Sequence, residues 1–535
     1  MDTMTGEPAN PTPVPPAAIR QIARAAGTVM AAYVLTQLLG LLRGFLIFRI
    51  FGTTADLDSF NAANRVTEVL FNLMAGGALG SAFIPTFTGL LAREQRQAAW
   101  KLASAIANLL MLVLTTLAGA AFLLAPLIVR HGLFVLAPAQ VPSQEDLTTL
   151  LLRMMLPTVV IFGLSGLSMG VLNAHQKFWL PAIAPAMYSL GQIAGVLLLP
   201  AEMGITRLAL GAIVGASLHL LVQSPHLFRL KGRYIPTLGL RMGEVHEVAH
   251  LMGPRILGVA VVQVNFIVNV MIGLSLPEGS VSALTLAFTW MLMPQAAIAQ
   301  SVAVAAMPTF SAQATLGKFA ELRSSLAASL RGVLLFAIPA ATGLILLRNP
   351  LISIYEGGEF TARSTELVTW ALLWYTAGLV FHCLLEVVVR AFYSLHDTRT
   401  PVMATIGAMA LNVVFSLTFP GWFTHMGWLP LGGLALANSL ATFLEIIILI
   451  PLLSRRLSGL EGLRVWSAAA NGLLASLGMG LALLVLIRLT TALPSWLVVV
   501  LGVGAGSTVY ASSLALLRTQ EVFTVWRSVR NKLRL

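Results

Sequence analysis

Asn61-Ala62-Ala63-Asn64-Arg65-Val66-Thr67-Glu68-Val69-Leu70-Phe71-Asn72 decides how the rest of the chain is read. It sits inside an apolar block, residues 28–92, whose overall composition suits lipid. Yet Asn61, Asn64, Arg65, Glu68 and Asn72 follow one another at three- and four-residue steps, so a helix gathers them on one face. A charge at mid-membrane costs several kcal/mol, roughly 3 or more. A face carrying Arg, Glu and three Asn therefore looks toward a water-filled cavity or a protein partner, as the opening helices of a transporter do.

Working outward, 57% of the 535 residues are hydrophobic and 10% are charged. Soluble domains carry about 25% charged residues, so the fold class is all-α, a polytopic membrane protein. Apolar runs of about 20 residues, enough for a hydrocarbon core of roughly 30 Å, recur from 28–50 and 60–91 through to 466–487 and 495–517. They make about fourteen transmembrane helices.

The net charge of +12 suggests nucleic acid until the basic residues are placed. Alternate loops hold 21 of them against 5 in the opposite set, which is a positive-inside bias and excludes a nucleic-acid surface. The bias places both termini in the cytoplasm of a multi-pass protein of the bacterial cytoplasmic membrane. Residues 1–20 contain a Pro-rich stretch and are expected as a disordered cytoplasmic tail. Cys383 is the single cysteine, so no intrachain disulfide forms. The chain has no Walker loop and no Cys/His cluster of zinc spacing, so it is read as a transporter, not an enzyme, without a cofactor. The drive is then a coupling ion of unknown identity, the membrane potential, or downstream consumption of cargo.

Two passages echo each other about 220 residues apart. Ala82-Phe83-Ile84-Pro85-Thr86-Phe87 recurs as Ala306-Met307-Pro308-Thr309-Phe310, and Leu172 to Pro181 matches Phe392 to Pro401. The repeat unit spans six helices, so its copies enter the membrane in the same direction, as two lobes in parallel repeat. The expected lobes are 21–230 and 231–455, with two extra C-terminal helices and a basic tail in 456–535.

These residues resemble the MurJ (MviN) family, bacterial lipid II flippases of the multidrug/oligosaccharidyl-lipid/polysaccharide exporter superfamily. The likeness rests on the 28–92 block, on Gly253-Pro254-Arg255-Ile256-Leu257-Gly258, and on Tyr355-Glu356-Gly357-Gly358-Glu359-Phe360-Thr361. It also includes Arg390-Ala391-Phe392-Tyr393-Ser394 through Asp397 to Pro401. It implies a flippase for the undecaprenyl-pyrophosphate-linked peptidoglycan precursor, a cationic cavity for the head group, and a greasy groove for the tail on helices 13 and 14. Partners implied or compatible are that lipid, the bilayer and cell-wall synthesis proteins, with the protein itself a monomer. Where the family reads Ser-Arg-x-x-Gly-x-x-Arg-Asp, this chain reads Thr36-Gln37-Leu38-Leu39-Gly40-Leu41-Leu42-Arg43-Gly44. Family arginines on helices 2 and 8 fall at Phe71 and Thr289, and the family's acid before Gly-Ala-Phe falls at Gly76. Other cargo on the same fold (another polyprenyl-linked glycan, or a drug/cation antiporter) and a non-transporting scaffold are the alternatives.

The candidate substrate-binding residues are Arg43, Arg65, Glu68, Arg255, Asn61, Asn72, Asn265 and Asn269, with Asp58, Gln37 and Thr289 as cavity support. Arg43 lies roughly 10 Å inside helix 1 at 1.5 Å per residue. It is either a forked phosphate contact or a structural partner of Glu68 or Asp58. Arg65 and Glu68 are either a fixed pair or a switchable one. Arg255 either meets pyrophosphate or anchors the helix at the interface. Asn265 and Asn269 line a cavity or glue helices together. Glu445, deep in helix 12, has no assigned role beyond that of a possible ion ligand.

Overall fold

The computed structural model describes residues 16–74, 78–137 and 142–517, without the side chains of 16–31, 33, 74, 78–81, 254, 255, 257 and 258. The Gly76-Gly77 pair, the basic C-terminal tail and the tail up to residue 15 lie outside the described residues. Helix α1 (Pro16–Phe51) begins inside the segment expected as a tail. Pro16 occupies a first-turn position, where its missing N–H costs nothing, and Ala-Ala-Ile-Arg follows.

The first half continues with α2 (Ala55–Met74), α3 (Ala78–Ala92), α4 (Arg96–Leu127), α5 (Pro142–Ala174), α6 (Trp179–Leu198), α7 (Thr206–Leu221) and the short α8 (Ser224–Arg229). The second half holds α9 (Gly243–Leu274), α10 (Ser280–Gln295), α11 (Ser301–Thr315), α12 (Phe319–Ser353), α13 (Ala362–Ala377) and α14 (Leu379–Ser394). It ends with α15 (Arg399–His425), α16 (Leu431–Leu457), α17 (Gly462–Leu489) and α18 (Ser495–Leu516).

Eleven helical stretches are long and apolar enough to cross a membrane, twelve if the bent pair α13–α14, turning by 44°, counts as one span. The expected fourteen are not reached by this measure among the described residues. Helix α2 falls short because Asp56, Asp58, Arg65 and Glu68 interrupt it. For α9 the measure covers Val259–Leu274 alone, because the side chains of 254, 255, 257 and 258 lie outside the described residues.

The duplication is visible in local structure. Helices α3 and α11 are both 15 residues long, with Pro85 and Pro308 at matching positions. Helix α5 ends with Gln176 at φ 57° and Lys177 N–H donating to Leu172 O at 2.9 Å. Helix α14 ends the same way, with His396 at φ 57° and Asp397 N–H donating to Phe392 O at 3.0 Å. A left-handed residue closing the last turn is a helix stop signal, and here it is repeated at a 220-residue offset.

The chain divides into two compact units that cut across the expected lobe boundaries. The first comprises residues 1–44, 70–119 and 155–254. Its core includes Phe83, Phe87, Leu102, Leu114 and Val159. Helices α6 and α7 meet there through paired glycines: a Cβ on Gly191 would lie 2.2 Å from Gly215 Cα, and one on Gly195 2.5 Å from Gly211 Cα. Small residues four apart let two backbones touch, the usual device for joining helices in lipid. The segment after α8 runs along α4, where Ile235 N–H donates to Ser104 Oγ and Asn108 Nδ2 to Thr237 O.

The second unit comprises residues 45–69, 120–154 and 255–535. Helix α17 packs Ala468, Ala475, Met479 and Leu483 against Leu335 and Leu347 of α12 and Tyr510 and Leu514 of α18. Tyr510 Oη donates to Leu335 O at 2.6 Å. The opposite face of α17 leaves Leu473, Leu477, Leu481 and Val485 exposed, an apolar surface fit for lipid chains. Residues 45–69 join this unit because hydrogen bonds tie them to 278–282 and 359–364, as described next.

Candidate functional site

Asp58 lies in the first turn of α2 and is 2% exposed. Its Oδ2 accepts the main-chain N–H of Gly279 at 2.8 Å, and its Oδ1 accepts that of Ser282 at 2.7 Å. These are first-turn amides of α10, which have no acceptor within their own helix. Gly279, the N-cap of α10, has no side chain to supply one, so Asp58 caps α10 from another helix and puts its charge at the positive end of the dipole. Gly279 adopts φ +82°, and a Cβ there would lie 2.2 Å from Thr53 O. Glycine is therefore required on both conformational and steric grounds.

Four further contacts surround this cap. Ala55 N–H donates to Glu278 Oε1 at 2.9 Å, and Gln144 Nε2 donates to Ala55 O at 3.3 Å. Thr53 Oγ1 donates to Ser364 Oγ at 2.8 Å, and Glu359 N–H donates to Arg49 O at 3.1 Å. Phe48 meets Tyr355 and Phe360 edge to face, which gives the Tyr355–Thr361 motif a packing role. A cavity of about 270 Å³ remains, lined by Ala55, Asp56, Asp58, Gln144 and Glu278 among others. Thr53, Glu278 and Glu359 belong to the arginine-poor set of loops. Asp58 lies ahead of the span predicted from residue 60. Burial pushes its carboxyl up from 3.8 to about 7, and the hydrogen bonds from Ser282 and Gly279 recover only part of that rise.

The polar stripe continues down α2. Asn61 Nδ2 donates to Ser282 Oγ at 3.1 Å. Arg65 Nη1 lies 2.8 Å from Glu68 Oε2, while Asn64 Nδ2 donates to Glu68 Oε1 at 2.7 Å. The Arg65 guanidinium also sits 4.8 Å from the centre of the Phe266 ring on α9, a cation–π contact. The two side chains remain 27% and 42% exposed, so the ion pair is partly solvated and weak in net terms. Asn72, past residue 69, belongs to the first unit and is half-buried.

Arg43 also belongs to the first unit. It is half-buried, and its Nε is shielded from solvent without a hydrogen-bond partner. Two turns away, Thr36 Oγ1 donates to Ala182 O at 3.2 Å, fixing α1 against α6. Gln37 is exposed, and Phe71 packs on Phe162 with ring centres 5.6 Å apart. Thr289 is exposed and bonds back to Thr285 O in its own helix. Arg255 lies within α9, and its side chain is outside the described residues.

Asn265 and Asn269 make the contacts of helix–helix glue. Asn265 Nδ2 donates to Asn412 Oδ1 at 2.9 Å and Asn269 Nδ2 to the same oxygen at 3.2 Å, while Ser416 Oγ donates to Asn269 Oδ1. Asn412 and Ser416 on α15 escaped the sequence reading. Their four-residue spacing was a signal, but nothing local points to α9. Ser282 and Gly279 escaped it for the same reason, although Pro277-Glu278-Gly279-Ser280 is a plain helix-start pattern.

The profile of the family described as lipid II flippase MurJ matches residues 47–503. The lipid II flippase MurJ of Burkholderia cenocepacia is 30% identical over 436 residues, covering 79% of this chain and 83% of that protein. The probable lipid II flippase MurJ of Vibrio cholerae is 27% identical, covering 79% and 81%. Among solved structures, a lipid II flippase MurJ in the inward closed conformation superposes with a TM-score of 0.76 at 23% identity, over 91% of this chain and 98% of that one. An inward-facing MATE-family multidrug resistance transporter of the MOP superfamily gives 0.68 at 14% identity, over 82% and 99%.

Proposed function

This chain belongs to the lipid II flippase MurJ family, and from that premise we propose that it carries lipid II, the polyprenyl-pyrophosphate-linked peptidoglycan precursor, from the inner to the outer leaflet by alternating access. It acts as a transporter in the cytoplasmic membrane, with both termini on the cytoplasmic side.

Arg43 is the observation that carries the reading. A guanidinium nitrogen buried without a partner is costly to maintain unless an anion visits it. Arginine's planar fork matches a phosphate bidentately, which a lysine cannot reproduce. The Asp58 cap, the Thr53–Ser364 bond and the Arg49–Glu359 bond then form the outer gate, closed while the head group loads from inside. The exposed apolar face of α17 offers the long tail a path that never leaves lipid. Cargo head groups cannot cross hydrocarbon unaided, so a polar stripe such as that of α2 is needed along the route.

Complementation tests the proposal. In a host depleted of its own lipid II flippase, this chain should restore growth and the outer-leaflet accessibility of the precursor. Arg43→Ala should abolish both while leaving the protein inserted and folded. Growth restored without precursor reaching the outer leaflet would refute it. A second cargo on the same fold is favoured by one observation, the occupation of Gln37, Phe71 and Thr289 where the family carries arginine.

A further inference from the structure

Glu445 is a buried carboxylate that the gate and the stripe do not use. It sits mid-way along α16, twelve residues before Leu457, so roughly 18 Å from that end at 1.5 Å per residue. It is 3% exposed. Thr405 Oγ1 on α15 donates to its Oε1 at 2.7 Å. Among the described residues no ion pair reaches it. On α14, Arg390 is bound to Glu386 at 2.6 Å, and His382 contacts Asn438 and Thr442. Of the other helices packed on α16, α10 has no ionisable side chain, and α15 has Arg399 at its first residue and His425 at its last. Arg363 and Glu366 of α13 pair with each other, and Tyr375 is its remaining ionisable side chain. On α12, Glu321 pairs with Lys318, Arg323 donates to Ser458 O and Arg348 to Ile345 O, and Arg331 also has an interaction.

A carboxylate left uncompensated in a low-dielectric interior is relieved by binding a proton. The partner suits both forms, because a threonine hydroxyl donates to a carboxylate and, after rotation, accepts from a carboxylic acid. One carboxylate and one hydroxyl are too few for a metal ion, and no group of three metal-ligating side chains occurs among the described residues. The same face of α16 carries Thr442 and Asn438, both in contact with His382 Nε2, at 3.3 and 3.1 Å. That extends a polar track along α14 and α16. We propose that Glu445 and Thr405 form a single-proton binding site inside the second unit, through which protons couple to the transport cycle.

The test needs no cargo. The purified full chain in lipid nanodiscs is treated with dicyclohexylcarbodiimide, which modifies protonated carboxyls in apolar surroundings, and the adducts are mapped by mass spectrometry. Glu445 should be modified, with labelling falling at least tenfold as pH rises, and Glu445→Gln should remove that adduct while unfolding at the wild-type temperature. Thr405→Val should extend labelling to higher pH, because the carboxylate loses its donor; a merely structural threonine would leave the profile unmoved. Absence of the Glu445 adduct at every pH, with Glu386 modified in the same sample, would overturn the site. So would sodium suppressing the labelling at fixed pH as strongly as alkali does. Failure of the same preparation to bind lipid II would instead overturn the flippase reading and leave the proton site standing.

Discussion

Asp58 accepts the main-chain N–H of Ser282, 224 positions further along the chain, at 2.7 Å. One carboxylate thereby supplies what the first turn of α10 lacks and holds the start of α2 to it. Such a contact is strong when dry and cheap to lose when wet, because water can replace the carboxylate at the amides and the amides at the carboxylate. That asymmetry is what a gate requires.

Removing the cap should loosen the gate. Hydrogen bonds to a charged group contribute about 1.5–3 kcal/mol each, so Asp58→Ala should shift the closed–open equilibrium by about 2 kcal/mol. The reporter is Ser59→Cys, at a fully buried position beside the cap, probed with a membrane-impermeant maleimide from outside. Native Cys383 is itself fully buried, so the unsubstituted protein serves as the blank. Labelling should accelerate on the order of 30-fold, the equivalent of about 2 kcal/mol. An unchanged rate would remove Asp58 from the gate.

The gate should also respond to pH with a defined sign. Closed, Asp58 titrates near 7; open and hydrated, it returns to 3.8. The closed form therefore binds more protons between those values, and the gate weakens as pH rises from about 4 to about 7, with no further change above. Maleimide rates at Ser59→Cys, divided by those of the same reporter carrying Asp58→Asn, should rise over that window and then level off. A flat ratio would contradict the raised titration.

Gly279→Ala should be as damaging as losing the cap itself. Its Cβ would meet Thr53 O at 2.2 Å, and its φ of +82° is strained for alanine. The expected result is fast outside labelling at Ser59→Cys with normal insertion. A control, Gly204→Ala, has positive φ but open space, and should leave labelling unchanged.

The α2 stripe was legible because helical periodicity is a local property: Asn61, Arg65 and Glu68 do share a face. The repeat was legible for the same reason, through its proline positions and helix stops. What the stripe touches was not legible. Nothing between residues 55 and 74 names Ser282 or Phe266 as partners, since their sequence separation exceeds 200 residues. The span count misses α2 because of the feature that makes it interesting, since charged side chains facing protein lower the apolar signal of a genuine helix. Asn265 shows the limit most plainly. Its four-residue spacing to Asn269 was visible, but only Asn412 decides between cavity lining and glue.

A latch at the arginine-rich end offers a stability test. Asp397 Oδ1 accepts the N–H groups of Arg399 and Thr400 at the start of α15, and its Oδ2 pairs with Arg456 at 2.7 Å. Burial pushes its carboxyl up, but the Thr400 hydrogen bonds, Arg456 and the Arg399 amide together hold it below the usual carboxylate range. A depressed value stabilises the fold above 3.8, and that contribution is lost as pH falls through the folded value. Asp397→Ala should lower stability by about 1 kcal/mol at neutral pH, the usual value of a lost cap. The difference should shrink in acid, read as converging thermal midpoints. A gap that widens in acid would reverse the assignment.

Under the proposed function, Arg43 and Arg65 are each expected to contact the cargo's phosphates, since Gln37, Phe71 and Thr289 carry no charge. Arg65 is already held by Glu68 and by the Phe266 ring, yet a partly exposed ion pair is worth only about 0–1 kcal/mol. Under the same proposal, pyrophosphate would displace Glu68 at little cost. Glu68→Gln should then tighten binding of lipid II, because Arg65 no longer needs to be released. Arg65→Ala should weaken it by about 2 kcal/mol or more, as expected for a lost charge contact. Arg43→Lys should fall between wild type and Arg43→Ala, since the bidentate fork is gone but the charge remains. Thr289→Arg, restoring one of the replaced cations at an exposed position, should raise affinity. Native mass spectrometry with lipid II and an unrelated polyprenyl phosphate measures all four variants. Equal, weak binding of the two lipids would keep the fold and the gate but move the cargo to another polyprenyl-linked glycan.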